Sequence, residues 1–370
     1  MFSSSLKFVM LLAGGACLAM LSAPKAATAA NFAGKTIEVI VPSGAGGGLT
    51  RNARRFTKNF SKYIPGNPNV IVKNIVGGGG QKGINYVYKK GKKDGTQILF
   101  GPLNLIGINM GLPGIRYEPA KFKILGTSGG FPFITIVRPD IGGGIKTRED
   151  FASKSGFVTG GRIPGGNLGL FSRMSFSVLG IENRFVIGYK NQPKLKAALI
   201  QNEIQALSTG NPGYWAFYVN DLIKKGQAIA LFQHPSIDGR TGKFRKPTHV
   251  KGVPYFIDYY RKVKGGEPSG GAWEALKWFS SYMIYTGWMV MHPDTPDNIT
   301  AVLRKAFTDN MNDPATQASF MKGNKMSPIV LNGPEAQKLA SNFNNMPAEA
   351  KSYFAKEFGI ARASKKKKKK

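Results

Sequence analysis

From residue 36 onward, short apolar runs alternate with amphipathic stretches, and glycine-rich turns join them; few folds are open to such a chain. The segments 36–42, 70–73 and 97–101 read as strands, and 49–63 and 80–89 read as helices. Along the first helix, Leu49, Ala53, Phe56 and Phe60 recur at spacings of four, three and four, which lays one apolar stripe against a sheet. Arg51, Arg54, Arg55, Lys58 and Lys62 then largely face water. Strand, helix, strand, helix, strand in that order predicts parallel βαβ units in an α/β fold.

A second block repeats the alternation, with strands at 157–160, 184–188, 204–207 and 228–233 and helices at 167–179, 194–201 and 214–224. It has the size of a second small α/β domain. Beyond a polar stretch at 234–254 the chain turns helix-rich at 295–312, 314–322, 333–344 and 348–358, helices expected to pack back on the first domain. No internal sequence repeat is evident.

The first stretch has to be set aside before folding is considered. Lys7 precedes an apolar run from Phe8 to Leu21, small residues continue to Ala30, and Ala27-Thr28-Ala29 offers a small-x-small cleavage pattern. Residues 1–30 therefore read as a cleaved export signal, the run being interrupted by Gly14 and Gly15 and short of the ~20 residues that a membrane span needs. Cys17 is the only cysteine and lies inside this segment, so the mature chain has no disulfide or thiolate chemistry.

The 370 residues carry a net charge of +32; removing Lys7, Lys25 and the tail Lys365–Lys370 leaves 32 − 2 − 6 = +24. Clustered cations would point to nucleic acid. Here they are dispersed and no nucleic-acid module is present, so a basic surface that steers anions toward a cleft is the reading preferred. The tail at 365–370 reads as disordered.

The segment Val41-Pro42-Ser43-Gly44-Ala45-Gly46-Gly47-Gly48 is the most informative, because glycines let backbone amides approach a ligand and a helix N-terminus adds partial positive charge. Together they suit an anion. A dinucleotide is disfavoured: the G-x-G-x-x-G/A pattern started at Gly44 meets Leu49, and Val70-Ile71-Val72-Lys73-Asn74 offers no acid for a ribose. No Gly-Lys-Ser/Thr closes the loop for a nucleoside triphosphate. A carboxylate remains, beside the plainer alternative of a tight turn without ligand. A second run, Gly77-Gly78-Gly79-Gly80, opens the next helix in the same way, and parallel strands would bring both turns to one sheet edge.

The order Thr36-Ile37-Glu38-Val39-Ile40-Val41-Pro42, triple glycine, helix, Val70–Asn74, glycine run and Lys93-Asp94-Gly95-Thr96 resembles the receptors of tripartite tricarboxylate transporters, the TctC or Bug family. Ile187-Gly188-Tyr189-Lys190, Pro293-Asp294-Thr295-Pro296 and Asn312-Asp313-Pro314 resemble further segments of that family. The resemblance implies a two-domain clamshell of the type II periplasmic-binding class, with domain 1 at 31–135 and 246–364, domain 2 at 136–245, and the ligand in the cleft. It also implies periplasmic location, a monomer, membrane transporter components as partners, and no cofactor, metal or nucleic acid. Carried over, the ligand contacts fall on Ser43, Gly44, Ala45, Gly46, Thr50, Gly78 and Gly79 of the first domain. From the second they fall on Thr159, Gly160, Gly161, Asn167, Thr209, Gly210 and Asn211, with Arg162 as a bidentate partner and Tyr214 beside the ligand body.

Departures narrow the expected ligand. Family members usually carry aspartate where Thr50 stands, and often another at the position of Thr209; without those charges a ligand lacking an ammonium group is expected, a di- or tricarboxylate or an aromatic acid. An enzyme is not indicated: His234, His249 and His292 are scattered, and no nucleophile elbow, His-Glu-x-x-His helix or metal-spaced set occurs. The alternatives are an exported basic protein that binds acidic polymers, or a hydrolase. The aromatic group Trp273, Trp278, Tyr282, Tyr285 and Trp288 reads as core packing.

Overall fold

A computed structural model describes residues 30–163, 165–234, 236–237, 243–245, 250–283, 285–342 and 345–358. Cys17, His249, the tail Lys365–Lys370 and all of the expected export signal except Ala30 lie outside the described residues. The chain begins β1 (Thr36–Val41), α1 (Gly48–Phe60), β2 (Asn69–Asn74), α2 (Gln81–Lys90), β3 (Gln97–Gly101), α3 (Leu105–Asn109) and β4 (Lys123–Gly129). It continues with β5 (Phe133–Val137), β6 (Phe157–Gly160), α4 (Asn167–Leu179), β7 (Asn183–Val186), α5 (Gln192–Ile200), β8 (Ala206–Gly210), α6 (Asn211–Gly213) and β9 (Ile229–Gln233). From α6 a π-type helical segment, Tyr214–Ile223, runs on. A short ladder, β10 (Ser236–Ile237) with β11 (Phe244–Arg245), precedes α7 (Phe256–Lys264) and α8 (Gly271–Met283). Last come β12 (Gly287–Met291), α9 (Asp297–Asn312), α10 (Pro314–Asn324), β13 (Ile329–Asn332), α11 (Gly333–Ser341) and α12 (Ala348–Glu357).

These strands form two sheets, one per lobe, in the orders β13-β4-β12-β3-β1-β2 and β7-β6-β8-β5-β9. Both follow one plan. Three parallel strands lie in the spatial order second, first, third, and beside the third sits an antiparallel strand that has just crossed from the other lobe, β12 in the first sheet and β5 in the second. A fifth strand, β4 or β9, follows in each sheet, and β13 adds a sixth at the edge of the first. The expected two-lobed α/β clamshell is the fold observed, with the second sheet mirroring a plan that leaves no repeat in the sequence.

Both faces of the first sheet are covered, which is why β1 reads as a nearly unbroken apolar run. Ile37, Val39 and Val41 pack with Phe56 and Phe60 of α1 and with Leu303 and Phe307 of α9; Ile40 turns the other way, toward Ile84 and Val87 of α2. The stripe expected on α1 is the buried one: Ala53, Phe56 and Phe60 are fully enclosed, while Arg51, Arg54 and Lys58 are exposed. Arg55 departs from that pattern. It is half-buried, donates to Asn52 Oδ1 at 2.8 Å, and lies where a side chain on Gly323 would stand.

Four strands of the two main sheets, β4, β5, β12 and β13, were not legible as such, nor was the short β10–β11 ladder. In β4, Gly126 has φ +159°, and a Cβ there would stand 2.1 Å from Phe307 Cε1, so an aromatic ring fills the space opposite a register shift in β12. Trp288, expected as core, is buried, but within β12 rather than among helices.

The domain boundaries need correction. The line drawn at 135/136 cuts β5, a strand hydrogen-bonded on both sides within the second sheet, so the crossing lies at 130–132. The return crossing falls later than 245/246, because α7 packs on β9 and α4 of the second lobe. Nor does α12 pack back on the first domain as expected: it lies on α8 and α4, where Glu357 pairs with Arg173 and the Tyr353 and Ser177 hydroxyls meet at 3.1 Å. The other three C-terminal helices, α9, α10 and α11, pack on the first lobe.

Candidate functional site

A cleft of about 170 Å³ lies between the sheets. The ends of the three parallel strands of each lobe and the loops after them all reach it: Pro42 and Ser43 after β1, Gly79 to Gln81 after β2, Pro102 to Asn104 after β3, then Arg162, Ile163 and Gly165 to Asn167 after β6, Asn191 and Gln192 after β7, and Gly210 and Pro212 at and after the end of β8. Carboxyl ends of parallel strands are where open α/β sheets bind ligands. The crossing strands add Phe133 at the start of β5 and Thr286 just before β12, and Phe279 of α8 completes the wall.

The helices that start at this edge differ in how their first amides are satisfied. Asn104 accepts from Gly107 N at 2.9 Å and Asn191 accepts from Lys194 N at 3.1 Å, so α3 and α5 are capped by their own side chains. At α1 and α2 the capping residues are Gly47 and Gly80, which supply no side-chain cap, and neither first turn holds an acid. At the start of α2 the amides are taken by the glycine turn itself, Gly80 N and Lys82 N donating to Gly77 O and Gln81 N to Gly78 O, whereas those of Gly48 and Leu49 at the start of α1 are left for something in the cleft. In the second lobe α4 begins after Gly166, also without a side-chain cap, and its first turn is unwound at Leu168 and Gly169. Gly169 has φ +100° with Gly160 O 2.6 Å from a would-be Cβ, so only glycine allows that bend.

Of the sequence-derived contact residues, the structure brings Ser43, Gly79, Arg162, Asn167 and Gly210 to the cleft wall. The others sit elsewhere for identifiable reasons. Gly47 N donates to Gly44 O at 3.0 Å, which closes the first turn on itself and leaves Ala45 and Gly46 on its solvent crest; Gly47, Gly48 and Leu49 line the cleft instead. Thr50 is buried behind the turn, donating to Gly44 O at 2.9 Å and accepting from Asn74 Nδ2 at 2.9 Å. Its hydroxyl braces the loop and is not on the wall, so the aspartate comparison made at that position does not bear on a ligand here.

Gly78 faces solvent. Thr159 donates to Asn183 Oδ1 at 2.8 Å inside the second sheet, and a side chain at Gly160 or Gly161 would collide with Ile204 or Phe185. Thr209 accepts from Gln192 Nε2 at 2.8 Å. Asn211 reaches across to the first lobe, donating through Nδ2 to Asn324 O at 2.5 Å. Tyr214 is buried in the second lobe with its ring 5.4 Å from that of Trp215. The wall residues that were missed, among them Asn52, Gln81, Leu103, Asn104 and Gln192, carry no glycine signal; position after a parallel strand would have found most of them.

The lobes touch across the cleft. A Cβ on Gly79 would stand 2.3 Å from Ile163 Cδ1, and one on Gly48 would stand 3.5 Å from Pro212 Cβ. At the rim, the Arg51 guanidinium lies 5.2 Å from the Phe217 ring centroid.

Charge is sparse inside. Among the described residues that line the cleft, Arg162 is the one charged side chain, and no Asp, Glu, His or Lys joins it. Its guanidinium makes no ion pair or side-chain hydrogen bond among the described residues, and burial pushes its pKa down with no acid to oppose it. No cluster of metal-ligating side chains occurs among those residues, and no helix there is long and apolar enough to cross a membrane.

The two described histidines, His234 and His292, are not on the wall. His234 is enclosed in the second lobe, with Nε2 2.7 Å from Thr135 Oγ1 and Nδ1 3.2 Å from Ser175 Oγ, and burial pushes its pKa down to about 3. A depressed imidazole contributes stability that is fully present above its unfolded pKa of about 6.5 and is lost as pH falls toward 3. Urea unfolding should therefore show a loss approaching about 1.4 kcal/mol per pH unit from this group between pH 6 and 4. His234→Gln should flatten that slope; an unchanged slope would count against a neutral buried ring.

No family model matches the chain, and no curated protein matches it. Solved structures do share its fold. The periplasmic binding protein BugD superposes with a TM-score of 0.64 at 17% identity, covering 87% of this chain and 97% of that one. A Rhodopseudomonas palustris protein with adipate gives 0.63 at 16% identity over 88% and 97%. MatC from R. palustris with bound malate gives 0.59 at 15% over 84% and 98%. The chain thus has the fold of periplasmic binding proteins such as BugD, at an identity that carries the architecture and leaves the ligand to be argued from this cleft.

Proposed function

We propose that the chain is a periplasmic solute-binding receptor that captures a small carboxylate-containing ligand between its lobes and delivers it to the membrane components of a tripartite tricarboxylate-type transporter. The observation that carries this reading is the wall itself: amides without a side-chain cap at the start of α1, one arginine without an acidic partner, and no carboxylate among the described lining residues to repel an anion. Hydrogen bonds to a charged group contribute roughly 1.5–3 kcal/mol each, so four or five of them offset association costs and reach the ~8 kcal/mol of micromolar binding. Malate and adipate in structures of the same fold support an acid as ligand. The wall also supports binding without turnover, since the described residues on it supply hydroxyls and amides but no acid or base to move a proton.

A thermal-shift screen tests the proposal. An acid at 100 times its dissociation constant should stabilise the folded chain by about 2.7 kcal/mol and raise the melting temperature. Ester turnover, or salt-sensitive DNA binding with no response to any acid, would replace this function with another.

A further inference from the structure

Asn52 of α1 is only 6% exposed, yet it lines the cleft, one helical turn beyond Gly48 and on the same face. Its side-chain oxygen accepts twice, from Arg55 Nη1 at 2.8 Å and from Asn324 Nδ2 at 3.1 Å. Two donors on one atom settle which end of the amide is the carbonyl. The other end, Nδ2, donates to nothing among the described residues and is not sealed off, as Asn211 Oδ1 and Asn324 Oδ1 are, so its N–H bonds are left for the cleft. Behind the amide, Arg55 is half-buried and forms no ion pair among the described residues; burial, and then Arg51 nearby, push its pKa down. A cation on the carbonyl side polarises an amide and makes the opposite N–H a stronger donor. Asn324 is held in turn from the second lobe, where Asn211 Nδ2 donates to Asn324 O at 2.5 Å. We infer that Asn52 Nδ2 donates to a carboxylate oxygen of the ligand, with Arg55 as a positioning residue that fixes the amide and charges it from behind.

The inference rests on the receptor reading above and can fail without it. Isothermal titration of malate, adipate, citrate and benzoate into the chain selects the tightest of the four as probe. Asn52→Asp still accepts from Arg55 and Asn324 but turns an oxygen toward the cleft; it should weaken the probe at least about thirtyfold without lowering the ligand-free melting temperature. Asn52→Leu removes the donor and adds no charge, and should weaken the probe about tenfold. Arg55→Met should lose about fivefold, and Arg55→Lys, which keeps a cation behind the amide, should recover most of that loss. In isotope-labelled chain the NMR signal of the Asn52 side-chain amide, assigned by its disappearance in Asn52→Asp, should shift on saturation with the probe. A signal that stays in place, or Asn52 variants that bind like the parent chain, overturns the inference and keeps the receptor. Equal affinities in Arg55→Met and Arg55→Lys overturn the part given to the arginine. If none of the four acids binds the parent chain, the inference and the receptor reading fall together.

Discussion

Oxidation of a Gly48→Cys/Pro212→Cys double variant is expected to arrest ligand exchange. An ideal Cβ on Gly48, the first residue of α1, stands 3.5 Å from Cβ of Pro212 in α6, within the ~3.5–4.5 Å that a disulfide spans. The two residues belong to different lobes and both line the cleft. Gly48 has no positive φ to forbid a side chain, and the chain's one native cysteine, Cys17, is replaced by serine in the same variant so that no other thiol competes. Protein loaded with an acid and then oxidised should release it at least about a hundredfold more slowly, since exit then requires breaking the staple rather than a hinge motion. Protein oxidised before loading should exclude the acid, and a thiol reductant should restore both rates. Equal dissociation rates with the disulfide closed and open would mean that the acid does not enter between the lobes.

The second large effect concerns what holds the glycine turn in place. Phe56 of α1 is fully buried, with ring centroids 4.6 Å from Phe60, 5.7 Å from Phe307 and 6.1 Å from Phe100, so it ties the helix that presents the cleft amides to both β3 and α9. Phe56→Ala should cost about 3–5 kcal/mol, combining lost transfer energy with the cavity left among three rings that cannot collapse together. Urea unfolding followed by tryptophan fluorescence measures it. A loss under about 1 kcal/mol would show that α1 is held by something other than this aromatic cluster.

Much of the first lobe was legible because its signals are local. The α1 stripe at Leu49, Ala53, Phe56 and Phe60 has the helical period, and β1 to β3 alternate with helices as βαβ units do. Strands β4, β5, β12 and β13 carry no such rhythm: each pairs antiparallel with a strand distant in sequence, so their identity is set by lobes assembled around two crossings. The domain lines at 135/136 and 245/246 failed for that reason, each ignoring an element captured by the far lobe.

In the cleft, glycine content located both turns but not which residues face inward. That depends on the hydrogen bond from Gly47 N to Gly44 O, which turns Ala45 and Gly46 to solvent and brings Ser43, Gly47 and Gly48 to the wall. Thr50 was misread for a related cause: three residues into the helix region, it points back beneath the loop, where Asn74 meets it. Leu103 and Phe133 look like any core residue until the two sheets are opposed.

The most direct measurement is a crystal structure of the chain with the acid that stabilises it most in the thermal-shift screen. The account expects its carboxylate between the lobes, with oxygens about 2.7–3.2 Å from amides at the start of α1 or from the Arg162 guanidinium. An acid bound on the outer surface, or an empty cleft in protein saturated with that acid, would contradict it.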